Sequence, residues 1–209
     1  MAKPSWVTLS RTSGSGNNTV SISASAHTGR LVREGTVTVT NQNGTKPTAS
    51  VKVTQEAKSE FMTFTKPADL TSAAATTVEV TYTSNGRSLY IFMDNPIVGS
   101  LPAKTLSING GAEFEGPEWH DIPIEIPNDP GATEQYTIKA KFNIPANSDA
   151  IVRTWIIGGS AGNSFPPQQT ITQPAAASTV SVNPTTLELV NAGTAKTVSI
   201  TSNDDWVLS

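Results

Sequence analysis

The stretch that decides the fold is KVTQEA at residues 52–57, because a near copy, TITQPA, follows at residues 170–175. The glutamines of the two stretches, Gln55 and Gln173, lie 118 residues apart. Upstream of each stretch is a Val-Arg pair that opens a strand-like segment, at residues 32–33 and 152–153. Repetition at a long, fixed period indicates copies of one structural unit.

A second pair of segments repeats with nearly the same spacing. Each begins with a proline-containing strand end and finishes in Thr-Ser-Asn, at residues 83–85 and 201–203. The two prolines, Pro67 and Pro184, are 117 residues apart. Two independent matches with agreeing spacings predict tandem modules.

The segments within the repeats alternate polar and β-branched residues, as in TVSISA (19–24), TVTVT (36–40) and SVKVT (50–54). A period of two is typical of antiparallel strands with one buried face. Turn sequences rich in Gly, Asn and Ser separate these strands. The sequence predicts an all-β protein of tandem immunoglobulin-like antiparallel β-sandwiches.

The N-terminal residues carry a family resemblance. The order WVTLS (6–10), SGSG (13–16), an Arg-bearing strand start and a closing VTQ (53–55) resembles the BACON family. The resemblance implies immunoglobulin-like modules of the kind found in surface proteins of gut anaerobes and in virion proteins of their phages. The final stretch, 201–209, resembles the front half of another such module. For members of this family, the resemblance implies a spacer or a carbohydrate-binding role.

The repeats divide the chain into three parts. Residues 1–58 form a module that lacks its opening strands, residues 59–177 a complete module with an insertion around 94–130, and residues 178–209 the front half of a further module. Incomplete modules at both ends expose strand edges, which favour pairing with another chain. We therefore expect a homo-oligomer, or pairing with a capsid protein; the alternative is that the natural chain continues past Ser209. The residues expected to take part in module completion are Trp6, Val7, Val198, Ile200 and Trp206, with both tryptophans in a core.

Composition excludes several classes of partner. The net charge is −3 and no basic patch suggests nucleic acid. The chain has no Cys, which removes disulfides and thiolate chemistry. No apolar run reaches the ~18 residues of a membrane span, and Met1–Trp6 is not followed by the apolar core of a secretory signal. No cofactor motif is present, so we expect no cofactor and no catalytic residues.

The densest polar cluster is EFEGPEWHD at residues 113–121. Its carboxylates could bind Ca²⁺, or flank a tryptophan that stacks on a sugar; we favour a solvated loop within the insertion. The Ca²⁺ candidates are Glu113, Glu115, Glu118 and Asp121, and the candidates for partner or glycan contact are Trp119, His120, Tyr90 and Phe92. The Gly-rich residues 158–162 are expected to form a loop.

Three functions remain, and we rank last an enzyme, which would require an unrecognised site in residues 94–130; the other two rank above it. The first is a non-enzymatic structural protein of a phage virion, a capsid decoration or head-fibre component that assembles through its modules and through strand complementation. The second is a carbohydrate-binding or spacer part of a secreted glycan-processing protein, located outside the cell or on the bacterial surface. A host surface glycan is a further possible partner in either case. A glycan array and the Trp119→Ala variant distinguish the two.

Overall fold

The structure, a computed structural model, describes residues 3–95, 105–108, 114–115, 126, 128–191 and 193–209, with only the backbone for 105–108 and 114–115. Within these residues every regular element is a β-strand, apart from one 3₁₀ turn at Pro130–Ala132. All strand pairs are antiparallel. The predicted all-β fold class is confirmed.

The middle of the chain forms a sandwich of two sheets. The larger sheet has the order β5-β6-β10-β8-β9. Its strands are β5 (Met62–Thr65), β6 (Thr76–Ser84), β8 (Thr105–Ile108), β9 (Phe114–Glu115) and β10 (Tyr136–Ile144). The smaller sheet has the order β12-β11-β7, from β7 (Tyr90–Asp94), β11 (Arg153–Ser160) and β12 (Gln169–Gln173). Strands β8 and β9 belong to the predicted insertion and extend the sheet beyond β10.

One core lies between these two sheets. Alternating residues of β10 are buried, at Ile138, Ala140, Phe142 and Ile144, while the residues between them face outward. Trp155 on β11 is fully buried, and its indole Nε1 donates a hydrogen bond of 3.1 Å to the Gln173 side chain. Along β10, the apolar residues of the alternating sequence are therefore the buried ones, and the polar residues between them face outward.

The N-terminal segment consists of two hairpin pairs. Strand β1 (Val7–Leu9) pairs with β2 (Ile22–Ala24), and β3 (Arg33–Thr40) pairs with β4 (Thr48–Gln55). Its buried apolar side chains are Val7 and Val37. The small core leaves much of the strand surface exposed.

The C-terminal segment contributes one hairpin, β13 (Val180–Asn183) with β14 (Ser199–Ser202). Neither strand contains a buried residue. The last five residues, 205–209, lie outside any strand.

The expectation that residues 158–162 form a loop is wrong for its first three residues. Gly158 and Gly159 lie within β11, where Gly158 pairs with Phe92 and Gly159 with Ile91. A Cβ on Gly158 would stand 2.4 Å from the Phe92 ring. The glycines therefore mark a close approach of a neighbouring ring within a sheet rather than a turn.

Candidate functional site

The side chain of Asn85, which follows β6, makes four hydrogen bonds. It is fully buried, and its carboxamide Nδ2 donates to the Thr28 carbonyl at 2.9 Å, with longer contacts to the carbonyls of Lys58 and Ser59. Its Oδ1 accepts from the backbone N–H of Phe61 at 2.9 Å. One amide thus holds the N-terminal segment, the linker and the middle sandwich together. We call this contact region the first joint.

Arg30 adds charge to the first joint. Its guanidinium, 7% exposed, donates to the Asn85 carbonyl at 2.7 Å and to the carboxylate of Asp129, and lies 3.8 Å from the Glu60 carboxylate. Its backbone N–H also donates to the Gly131 carbonyl. Because the planar guanidinium contacts a carbonyl and two carboxylates in fixed directions, it restricts both the separation and the relative orientation of the segments that carry these groups.

The backbones at the first joint approach closely because glycines stand there. A Cβ on Gly131 would lie 2.4 Å from the Asn85 carbonyl oxygen and 2.5 Å from Arg30 Nη1. A Cβ on Gly29 would lie 2.7 Å from the Thr133 carbonyl oxygen. The joint has no space for side chains at these two residues.

Tyr136 closes the joint on the side of the middle sandwich. Its hydroxyl donates to the Gly86 carbonyl at 2.6 Å, next to Asn85. Burial is the largest influence on this phenol and raises the pKa of Tyr136 to about 12. The hydroxyl therefore stays protonated, and able to donate, throughout the neutral range.

A second joint of the same design connects the middle sandwich to the C-terminal hairpin. Asn203, which is 118 residues after Asn85, donates from Nδ2 to the carbonyls of Ser148 (3.1 Å) and Ala177 (2.9 Å). Its Oδ1 accepts from the Thr179 N–H at 2.8 Å. In both joints the asparagine Nδ2 donates to a carbonyl of the preceding module and to a carbonyl of the linker. The asparagine Oδ1 accepts from the backbone N–H two residues after that linker carbonyl.

The backbone contacts of the two joints also correspond. The Lys58 N–H donates to the Gly29 carbonyl, and the Ala176 N–H to the Asp149 carbonyl, both at 2.8 Å. Each loop is braced from within by a side chain at the same position, His27 or Asn147. His27 Nε2 lies 2.7 Å from the Leu31 carbonyl, and Asn147 Nδ2 donates to the Ile151 carbonyl at 2.8 Å. The joint is a repeated structural unit.

The two hairpins carried by these joints have identical pairing. Met62 pairs with Ser84 in β5–β6, and Val180 with Ser202 in β13–β14. The two repeated glutamines also pair at corresponding positions, Gln55 with Arg33 and Gln173 with Arg153. Both glutamines also donate to the carbonyl eight residues before their arginine partner, at Ser25 and Pro145.

Two residues predicted to contact a partner, Tyr90 and Phe92, lie on the outer face of β7. Their rings pack against each other at 5.5 Å, and both are half-buried. Leu89, Ile91 and Met93 on the opposite face are buried in the core. The Phe92 ring lies over Gly158, and the aromatic pair is on the outer face of β7 rather than in the interior.

The residues predicted for module completion have different environments. Val7 is fully buried, and Trp6 is half-buried beneath the Arg33 guanidinium, 4.6 Å from the ring centroid. Trp6 lies over Gly35. In the sequence repeat, Gly35 is the residue that corresponds to Trp155 of the middle sandwich. Val198 is exposed and Ile200 half-buried.

The expectation that Trp206 fills a core is wrong for this chain. Its side chain is 51% exposed and follows the end of β14. No strand pairs with residues 205–209 among the parts of the chain that the structure describes. A tryptophan is buried only where a second layer covers it, and none does so here.

The acidic cluster lies almost entirely outside the described residues. This applies to Glu113, Glu118, Trp119, His120 and Asp121, whereas Glu115 is described only as part of β9. Among the described residues, no group of three or more His, Cys, Asp or Glu side chains could hold a metal ion. No helix in the same part of the chain is long and apolar enough to cross a membrane.

Comparison with known families assigns the N-terminal segment. Residues 1–56 match the model of the BACON family, described as "Putative binding domain, N-terminal". This segment is similar to BACON modules. The match ends one residue after β4 and therefore covers the two hairpin pairs up to the linker of the first joint. Comparisons with curated proteins and with solved structures give no match.

Sequence reasoning missed the two joints. The signal was present in the repeated Thr-Ser-Asn at residues 83–85 and 201–203, which served only to measure the period. An asparagine after a strand is a common turn residue, so its sequence context alone does not reveal four partners from three segments. Arg30 gave no signal because its partners are about 55 and 99 positions away in sequence.

Proposed function

We propose that the chain is a non-enzymatic structural protein, a stiff spacer of immunoglobulin-like modules that serves in a phage virion as a capsid decoration or head-fibre component. The observation that carries the proposal is the repetition of the joint at Asn85 and Asn203. A flexible linker needs no asparagine that donates both to the preceding module and to the linker, as the buried Asn85 and the half-buried Asn203 do. A joint built twice to one pattern favours a role in which distance and direction between modules matter.

The use of polar side chains supports this proposal. The buried polar groups Asn85, Asn147 and Gln173 each donate to backbone carbonyls of neighbouring segments. Groups used in this way fix the structure and are not available for chemistry on a substrate. The binding activity that the family description assigns to BACON modules fits a protein that attaches to a capsid or fibre partner.

The stiffness is testable with spin labels, because the chain has no Cys and two introduced thiols are the sole labelling sites. Thr54→Cys on β4 and Lys141→Cys on β10 place exposed labels on either side of the first joint. We expect a narrow distribution of distances that broadens in Asn85→Ala. The exposed substitution Thr137→Ala on β10 is the control. A broad distribution in the parent protein would contradict a stiff spacer.

The virion role is tested on particles. Phage particles purified from a culture that encodes this chain should contain it in a fixed ratio to the major capsid protein by mass spectrometry, and antibodies should label the particle surface. If the chain is found instead in the culture medium or on the cell surface and binds a glycan array, the secreted, carbohydrate-binding function is correct.

A further inference from the structure

Two strand edges of the described chain lack the neighbour that their counterparts have in the middle sandwich. Strand β6 lies between β5 and β10, but its counterpart β14 pairs only with β13 in the described residues. Strand β10 lies between β6 and β8, but its counterpart β2 pairs only with β1. In the middle sandwich the two counterparts, β6 and β10, pair with each other.

The sequence offsets define the register of the pairing that would satisfy both edges. Residues 19–33 align with residues 139–153 at an offset of 120, and the two hairpins align at 118. Ala140 pairs with Val80 in the middle sandwich. The same pairing therefore places Val20 opposite Val198.

The side chains along these edges have the pattern of a covered face. Val20 and Ile22 are 44% and 40% exposed, whereas their counterparts Ala140 and Phe142 are buried. Val198 is likewise exposed where Val80 is buried. The edges thus present apolar groups at the positions that a partner strand covers in the middle sandwich.

Further along the hairpin the same contrast holds, with one exception. Val180 and Val182 are exposed, whereas Met62 is buried and Phe64 packs against the core. The exception is Lys196, which replaces Val78. A lysine there can bury its aliphatic stem and keep the ammonium in water.

The two edges of one chain cannot meet each other while both joints are closed. The first joint lies beside Tyr136 and the second just beyond Ile144, at the two ends of β10. Nine residues of extended strand separate these ends by about 30 Å. A pairing of β14 with the β2 segment therefore requires a second copy.

We propose that the C-terminal hairpin of one copy completes the BACON module of the next, with residues 194–202, which include β14, pairing antiparallel to residues 16–24, which include β2, and with Val198 opposite Val20. This deepens the proposed spacer function by naming its partner. The contact is heterologous, head to tail, so it leaves a free edge at each end and propagates. Because the second joint repeats the first, successive copies continue the same module-to-module geometry along the fibre.

The segment after the hairpin has a defined part in this assembly. WV at residues 206–207 corresponds to WV at 6–7, so only one of the two can pack in a completed module. Val7 is buried and held in β1, whereas residues 205–209 are unpaired and exposed. The copy that contributes β2 therefore also supplies the Trp-Val strand, from its own residues 6–7. Deletion of residues 205–209 from the copy that contributes the hairpin should leave assembly unchanged.

The first test blocks each edge with a charge that the pairing would bury. Ile22→Lys blocks the acceptor edge, at the β2 segment, and Val198→Lys blocks the donor edge, at the β14 segment. Each variant should be monomeric in size-exclusion chromatography with light scattering. The unsubstituted protein should form a series of oligomers whose size increases with protein concentration. Ser23→Lys and Thr197→Lys add the same charge on the outward face and should assemble like the parent.

Mixing the two blocked variants separates loss of pairing from misfolding. The Ile22→Lys copy retains a hairpin and the Val198→Lys copy retains an acceptor edge, so the mixture should form a 1:1 dimer and nothing larger. Two misfolded variants would not complement each other. A mixture that stays monomeric while the parent assembles would overturn the pairing.

A cysteine pair tests the register directly. Val20→Cys with Val198→Cys should form an intermolecular disulfide ladder on oxidation, because directly opposed residues have suitable Cβ spacing. Val20→Cys with Val180→Cys is the off-register control and should not. A monomeric parent with no ladder, or a disulfide within one chain, would overturn the proposal. The spin-label result and the virion composition would stand in either case.

Discussion

The two hairpins of the molecule share their construction and differ in their surroundings. In β5–β6 and β13–β14 the pairing register is the same, the serine that ends the second strand donates to the same relative carbonyl (Phe61 or Thr179), and an asparagine follows. Yet Val80 of the first hairpin is buried, and Val198 of the second is about half exposed.

This difference shows which properties belong to the hairpin and which to its neighbours. Pairing and the asparagine contacts depend on residues within the hairpin, its linker and the preceding loop, and both copies have them. Burial depends on β10 and the second sheet, which only the middle sandwich provides. The largest effects are therefore expected where a buried residue of the middle sandwich is compared with an exposed residue of the C-terminal segment.

The largest contrast is expected between two tryptophans. Trp155→Ala removes a fully buried indole and its hydrogen bond to Gln173, and should lower the free energy of unfolding by about 3–5 kcal/mol. Trp206→Ala truncates a half-exposed side chain and should change it by less than about 0.5 kcal/mol. Urea unfolding followed by circular dichroism measures both.

The two tryptophan variants are compared at a low protein concentration, so that assembly does not contribute to the free energy of unfolding. At low concentration, where the chain is monomeric, a large loss in Trp206→Ala would mean that its indole packs against the body of the protein. That result would contradict the exposed position of the C-terminal residues.

A smaller contrast is expected at the paired valines. Val80→Ala deletes about two buried methylene equivalents and should cost about 1.5 kcal/mol. Val198→Ala should cost little in dilute monomer, but about as much once the assembly forms. Unfolding curves at two protein concentrations check this, with the outward-facing Thr197→Ala as the control. Equal costs at both concentrations would show that Val198 is not covered.

The sequence predicted the repeated strands well because their information is local. The alternation in TVTVT at residues 36–40 and in the KVTQ and TITQ copies needs only a period of two to assign strands. It could not predict that Gly158 lies within a strand, since the reason is the Phe92 ring on another strand. A short glycine run has the same composition in a turn and under a packed ring.

The joints and the C-terminal tryptophan were beyond sequence reasoning for a related reason. Asn85 draws its partners from Thr28, Phe61 and the linker, and no pattern in the neighbouring residues encodes that convergence. Trp206-Val207 repeats the dipeptide Trp6-Val7, but burial requires a covering layer. The contrast between the two hairpins is therefore a property of tertiary structure.

The smallest effect concerns pH and distinguishes the two joints. Tyr136, beside the first joint, has its pKa raised to about 12 in the folded protein, above the ordinary value of about 10. Below pH 10 both states keep the proton, so the stabilisation is complete. Between pH 10 and 12 the unfolded chain loses its proton first, and stability falls as pH rises. Tyr82 in the core, whose pKa burial also raises, adds a parallel fall that persists in a Tyr136 variant.

Tyr136→Phe should therefore cost about 1 kcal/mol at neutral pH, through loss of the hydrogen bond to Gly86, and the cost should shrink towards pH 12. Urea unfolding at several pH values, with tyrosinate absorbance recorded in parallel, gives the comparison. A cost independent of pH would show that the phenol has an ordinary pKa. The Asn203 contacts involve carbonyl and amide groups, so a spin-label pair spanning the second joint should keep its distance over the same range. The two joints share one geometry, and only the first should respond to the ionisation of this tyrosine.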